Sequence, residues 1–246
     1  MKKFLLILLM VGLITCLLIG CNVTTPSEGE GEGEGEEEIA RVVLVELFTS
    51  HCPNCKIVEP LLEEVAEEYE RTKMILVEIG TWGDAVTAGG NDRYKWYLPD
   101  INQRTTPNTL FNGLNQRIWK VASKDSFKDK INIELAKEAK ISINVNKTEN
   151  SGITTLSGTV KNISTSALNN LVINGMILKD NNIVGEKYMV FNIIKDTTEI
   201  GITLAAGAEQ SFEFDLGEIG WIFNVHGVIF VQDSSTKEIL QANYVE

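Results

Sequence analysis

A β-branched apolar run, Val42-Val43-Leu44-Val45, continues through Glu46-Leu47-Phe48 and gives way at Thr49-Ser50 to His51-Cys52-Pro53-Asn54-Cys55. A run of this composition reads as a strand buried on both faces, and it constrains the fold more than any other stretch. In the segment that follows, Val58, Leu61, Leu62, Val65, Ala66 and Tyr69 recur at three- and four-residue steps while the Glu residues take the other face. That spacing predicts an amphipathic helix, which Pro60 should kink. Met74 to Ile79 reads as the next strand, so the order strand–helix–strand predicts a βαβ unit.

The two cysteines stand where the helix should begin, and three chemistries fit them: a redox pair, a metal clamp or a structural staple. A thiolate is the attacking species in disulfide exchange, and a helix N-terminus favours negative charge. Zinc needs four ligands, and Cys52, Cys55 and His51, with His226 far along the chain, are too few for a closed site, so no metal and no cofactor is expected. Copper(I) accepts soft ligands, which keeps a copper chaperone as an alternative. A purely structural disulfide would close a very short loop and add little stability.

The run Val-Leu-Val-Glu-Leu-Phe, the C-x-x-C, and Cys-Lys-x-x-x-Pro-x-Leu-x-Glu after it resemble a thioredoxin. Thr105-Thr106-Pro107-Asn108-Thr109-Leu110-Phe111 fits the family's cis-proline strand, Asn112-Gly113 is a hairpin signal, and Arg117 to Val121 can be the returning strand. Ser123 to Lys140 reads as a capped terminal helix with Phe127, Ile131, Leu135 and Ala139 along one face. The resemblance implies Cys52 as nucleophile, Cys55 as resolving thiol, Glu46 as a buried acid relaying protons to the second thiol, and Thr106 with Pro107 docking substrate backbone. This chain departs from the family at His51, where a Trp is usual, and at Pro53-Asn54, where Gly-Pro is usual. Trp82, Tyr94, Trp96 and Tyr97 fall in Thr81–Arg104, which does not follow the short family pattern; they can line a groove or pack a subdomain.

Lys2-Lys3, an apolar stretch from Phe4 to Ile19, and Leu18-Ile19-Gly20-Cys21 resemble a bacterial lipoprotein signal peptide over 1–20, with Cys21 as the lipid attachment site. The resemblance implies an extracytoplasmic, lipid-anchored protein of the cell envelope. Residues 21–38 are an acidic Gly/Glu linker in which seven Glu and no Lys or Arg predict an extended tether.

From Ile141 the pattern changes to strict alternation, followed by short strands near 155–163, 171–178, 188–194, 210–216 and 227–232, punctuated by Gly and Asn. These predict an all-β sandwich over 141–246 that resembles Ig-like modules of bacterial surface proteins, after an α/β thioredoxin-like domain over 39–140. His226 reads as a strand residue. The net charge of −12, which becomes −14 without Lys2 and Lys3, argues against nucleic acid as a partner. The expected partners are protein thiols and disulfides of exported proteins, with the membrane reached through the lipid. The reading that competes is a redox-inert surface binding or adhesion lipoprotein on the same scaffold.

Overall fold

The computed structural model describes residues 39–50, 52–82, 86–151, 153–180, 182–195, 201–216 and 225–246. The expected signal peptide, Cys21, the tether and His51 lie outside the described residues. Among those described, no helix is long and apolar enough to cross a membrane.

The apolar run forms β1 (Val43–Thr49), buried at every position. It leads to α1 (Cys55–Glu68), β2 (Met74–Gly80), α2 (Gly90–Tyr97), a 3-10 turn (Ile101–Gln103), the hairpin β3 (Asn108–Phe111) and β4 (Gln116–Ile118), and α3 (Lys124–Leu135). β1 pairs parallel with β2 and antiparallel with β3, as the βαβ reading requires. Alternation along β1 divides the core. Val43, Val45 and Leu47 pack with Val58, Leu62 and Val65 of α1 and with Phe127 and Ile131 of α3. Leu44 and Phe48 pack on the other side with Tyr94 and Tyr97 of α2. The helix α3 ends at Leu135, short of the expected Lys140, and its third buried residue is Glu134.

The remaining strands are β5 (Ile141–Asn150), β6 (Ile153–Asn162), β7 (Leu168–Asp180), β8 (Tyr188–Lys195), β9 (Ile202–Leu204), β10 (Glu209–Asp215), β11 (Val225–Asp233) and β12 (Ile239–Val245). This region is mostly β, as expected, and β9 and β12 are the strands that the sequence reading passed over. The sheet order is β12-β11-β7-β8-β2-β1-β3-β4, with β9 on β7, while β10-β6-β5 form a second sheet. Ile141, Leu156, Val160, Phe212 and Phe214 of the second sheet pack against Ile173, Ile177, Ile229 and Val231 of the first.

The large sheet therefore runs through residue 140, where the sequence reading sets a domain boundary. β8 lies parallel to β2 at Glu78–Met189. Met176, Leu178, Val228 and Phe230 share a core with Leu44, Phe48 and Val77. Ile39–Glu246 is one compact unit. The change in texture at Ile141 marks the end of the helices, since apolar periodicity reports local structure and not which sheet a strand joins.

Two polar devices stitch the ends of the unit together. Asn112 and Gly113 both have positive φ, at 48° and 96°, and form the expected hairpin turn. A Cβ on Gly113 would come within 2.1 Å of the Lys237 carbonyl oxygen, so only glycine lets the hairpin dock on the β11–β12 turn. Arg41, 3% exposed, donates to Glu134 Oε2 at 3.3 Å, to Glu238 Oε1 at 3.0 Å and to the carbonyls of Ile239 and Leu240. Removing one member of a buried ion pair strands the other, at a cost of about 3 kcal/mol. Urea unfolding of the full chain should give one transition, coincident by fluorescence and far-UV circular dichroism, and Arg41→Met should lower stability by about that amount. Two separated transitions would show that the halves fold independently.

Candidate active site

β1 ends at Thr49, and α1 begins at Cys55. Asn54 is the N-cap residue of α1, and the Lys56 N–H donates to the Cys52 carbonyl at 3.1 Å. Cys52 and Cys55 form a disulfide with Cα atoms 4.9 Å apart. Cys52 is half-buried, Cys55 is buried, and Pro53 and Asn54 between them are exposed. The Cys55 N–H points at Cys52 Sγ from 3.1 Å. Once the bond is reduced, that N–H and the start of α1 stabilise negative charge on Cys52.

The Thr106–Pro107 peptide is cis, and Pro107 is buried. The Thr106 carbonyl oxygen lies 3.4 Å from Cys52 Sγ. Thr106 Oγ1 and Ser50 Oγ are 2.5 Å apart, and Ser50 Oγ is 4.0 Å from Cys55 Sγ. Ser50 links both cysteines' surroundings and escaped the sequence reading; its place directly after the buried strand was the available signal. Tyr94 OH donates to the Thr105 carbonyl at 2.6 Å and accepts from Asn108 Nδ2 at 2.8 Å, which fixes the segment that carries Thr106 and Pro107.

Glu46 is fully buried and stands on the β1 face shared with Leu44 and Phe48. Arg93 Nε donates to one carboxylate oxygen, and Tyr97 OH donates to the other at 2.6 Å. Gln232 of β11 closes the network through Tyr97 OH at 2.7 Å. Both oxygens of the expected relay acid are thus engaged by α2. Burial raises the Tyr97 phenol well above its ordinary range, so it stays a donor. Tyr94 stacks on Phe48 with ring centroids 4.3 Å apart, and Tyr97 meets it edge-on. These two residues of Thr81–Arg104 are core, whereas Trp82 is 70% exposed.

Three further carboxylates are buried around α1 and were not singled out from sequence: Glu59, Glu63 and Glu78. Burial pushes Glu78 up to about 8, against one backbone hydrogen bond from Tyr188 and with Glu63, Glu59 and Glu186 nearby. Glu63 is also raised, by burial first. His226 on β11 lies away from the cysteines; its Nε2 is 3.6 Å from Asp180 Oδ2, its ring stacks on Tyr244, and burial lowers its pKa. Among the described residues, no group of three or more His, Cys, Asp or Glu is arranged to hold a metal ion.

The fold and the site define a protein with a thioredoxin-like domain, and residues 34–89 match the thioredoxin family model. Among solved structures, HBP35 of Porphyromonas gingivalis superposes with a TM-score of 0.64 at 15% identity, over 84% of this chain and 75% of that one. A protein from Agrobacterium tumefaciens superposes with a TM-score of 0.54 at 13% identity, over 84% of this chain and 94% of that one. Both show a similar fold. A domain of the outer membrane lipoprotein Omp28 from P. gingivalis matches 44% of this chain and 88% of its own at 16% identity, with a TM-score of 0.30. Among curated protein sequences, none matches.

The elevated Glu78 has a consequence for stability. The folded protein holds this proton up to about pH 8, whereas the unfolded chain releases it near 4.5. Between those values the native state binds more protons, so stability falls as pH rises, by about 1.4 kcal/mol per unit at most. Glu78→Gln should flatten that slope and be more stable than the parent at pH 9, as measured by urea unfolding across pH 5–9.

Proposed function

We propose that this protein is a thiol–disulfide oxidoreductase of the bacterial cell envelope, held outside the cytoplasm by a lipid on Cys21 and acting on exported proteins. The observation that carries the reading is the Cys52–Cys55 pair at the start of α1, with the more exposed Cys52 beside the Thr106 carbonyl. In the reductive direction the Cys52 thiolate attacks one sulfur of a substrate disulfide. A Cys52–substrate bond forms, and the other substrate sulfur leaves with its electron pair as a thiolate. Cys55 then attacks Cys52 Sγ, which restores the intramolecular disulfide and releases the second substrate thiol. The same steps run backwards oxidise a substrate dithiol.

Thr106 and Pro107 supply a backbone edge next to Cys52 on which an extended substrate can lie. Ile57, two residues beyond Cys55, is exposed. So are Trp82, just after the end of β2, and Trp119, just beyond the Thr109–Ile118 pair of the β3–β4 hairpin. Exposed apolar side chains of this kind suit a partly unfolded protein substrate. The β layers over 141–246 are read as an Ig-like module built onto the oxidoreductase, and residues 21–38 as the tether that lets it range from the membrane.

The purified protein lacking its leader should catalyse reduction of insulin by dithiothreitol. Cys52→Ser should lose at least about 100-fold of that rate, and Cys55→Ser should accumulate a mixed disulfide on Cys52. Equal rates for Cys52→Ser and the parent would overturn the reading in favour of a redox-inert binding protein. In cells, Cys21→Ala should move the protein from the membrane to the soluble fraction; continued membrane attachment counts against the lipid anchor.

A further inference from the structure

Cys55 and Glu59 are both buried, and they stand four residues apart on α1. That spacing stacks them on one helix face, with Cβ atoms about 6 Å apart. Glu59 accepts a hydrogen bond from Thr49 Oγ1, the last residue of β1. The β7–β8 loop covers it from the other side. Gly185 there has a φ of +91°, and a Cβ on it would lie 3.2 Å from Glu59 Oε2. One turn further along α1, Glu63 Oε1 accepts from the backbone N–H groups of Gly185 at 3.0 Å and Lys187 at 2.9 Å. Glu78 faces the same side from β2, with Oε2 bonded to the Tyr188 N–H at 2.8 Å and Oε1 without a partner. The charged and titratable groups described around this carboxylate cluster include Cys55 and Glu63 on α1, Glu78 on β2, Glu186 and Lys187 on the loop, and Tyr188 on β8.

Glu46 is placed differently. Its oxygens are held by Arg93 and Tyr97, on the β1 face opposite the Val45 and Leu47 side that α1 covers. We infer that Glu59, and not Glu46, is the carboxylate that exchanges the Cys55 proton during disulfide exchange, with Glu63 as its route to water. This rests on the oxidoreductase reading above. In the resolving step the Glu59 carboxylate takes the Cys55 proton, and the resulting thiolate attacks Cys52 Sγ of the mixed disulfide. The Cys52–Cys55 bond forms, the Cys52–substrate bond breaks, and the substrate sulfur leaves with the electron pair and is protonated by water. The protein dithiol is oxidised by two electrons and the substrate disulfide is reduced by two. Glu59 then returns its proton to water through the open groove of about 310 Å³ lined by Pro60, Glu63, Ile183 and Lys187.

The test follows glutathione release from the Cys52–glutathione mixed disulfide by stopped flow between pH 5 and 9. Glu59→Gln should slow release about 100-fold near neutral pH and recover as pH approaches the pKa of the thiol itself. Glu59→Asp, which keeps a carboxylate, should restore most of the rate, and Glu70→Gln on the exposed surface should match the parent. A second measurement needs no turnover. In a Cys52→Ser background, Glu59→Gln should lower the Cys55 titration midpoint, read as thiolate absorbance, by about one pH unit, because a neighbouring negative charge is gone. An unmoved midpoint, or a slow release that appears with Glu46→Gln and not with Glu59→Gln, overturns the inference. A parent protein that never forms or resolves the mixed disulfide defeats the oxidoreductase reading instead, and the Cys55 midpoint still decides whether Glu59 is coupled to the thiol.

Discussion

Burial of β1 along its whole length, on both faces, is the constraint from which the rest of the structure follows. A strand with no exposed position needs a layer on each side. α1 and α3 supply one, and α2 with residues of β7 and β11 supplies the other. A carboxylate in the middle of such a strand needs hydrogen-bond partners for both of its oxygens. Arg93 and Tyr97 on α2, held in turn by Gln232 on β11, meet that requirement for Glu46. The disulfide turn begins where this doubly covered strand stops. Cys52 is therefore presented at the rim of a rigid core, and Cys55 is drawn beneath it.

The strands beyond residue 140 belong to the same mechanical unit. β8 extends the sheet at β2, the Asn112-Gly113 turn sits on the β11–β12 turn, and Arg41 ties β1 to α3 and β12. Their effect reaches the site through the β7–β8 loop, whose backbone N–H groups and Gly185 enclose Glu59 and Glu63 under the cysteine helix. The surroundings of the resolving thiol are thus made by both parts of the chain. Carboxylates of α1 and β2 are buried together under this loop in a low-dielectric setting, and Glu78 responds by keeping its proton.

Much of the fold was legible in the sequence because its signals are local. The alternating and continuous apolar runs placed β1, β2 and most later strands, helical spacing placed α1, and Asn112-Gly113 placed the hairpin. Thr106-Pro107 was found from the thioredoxin-like pattern around it. The pairing of β8 with β2 was not legible, since a strand's apolar pattern does not name its neighbour. Nor was the burial of Glu59, Glu63 and Glu134. On a helical wheel they count as the polar face, and only a loop or an arginine from far along the chain makes burial affordable. Glu46 was legible as a buried acid because Val45 and Leu47 flank it, but Arg93 lies 47 residues away.

The sequence by itself determined a buried strand that ends in C-x-x-C at the head of an amphipathic helix. It also determined the hairpin and the β texture that follows, because each depends on residue order over a few turns or pleats. Tertiary structure alone decided that both halves share one sheet, that Glu46 is locked to Arg93 and Tyr97, and that Glu59 is enclosed one turn from Cys55. Those outcomes depend on which distant groups can satisfy a buried charge, and that is settled only when the layers pack.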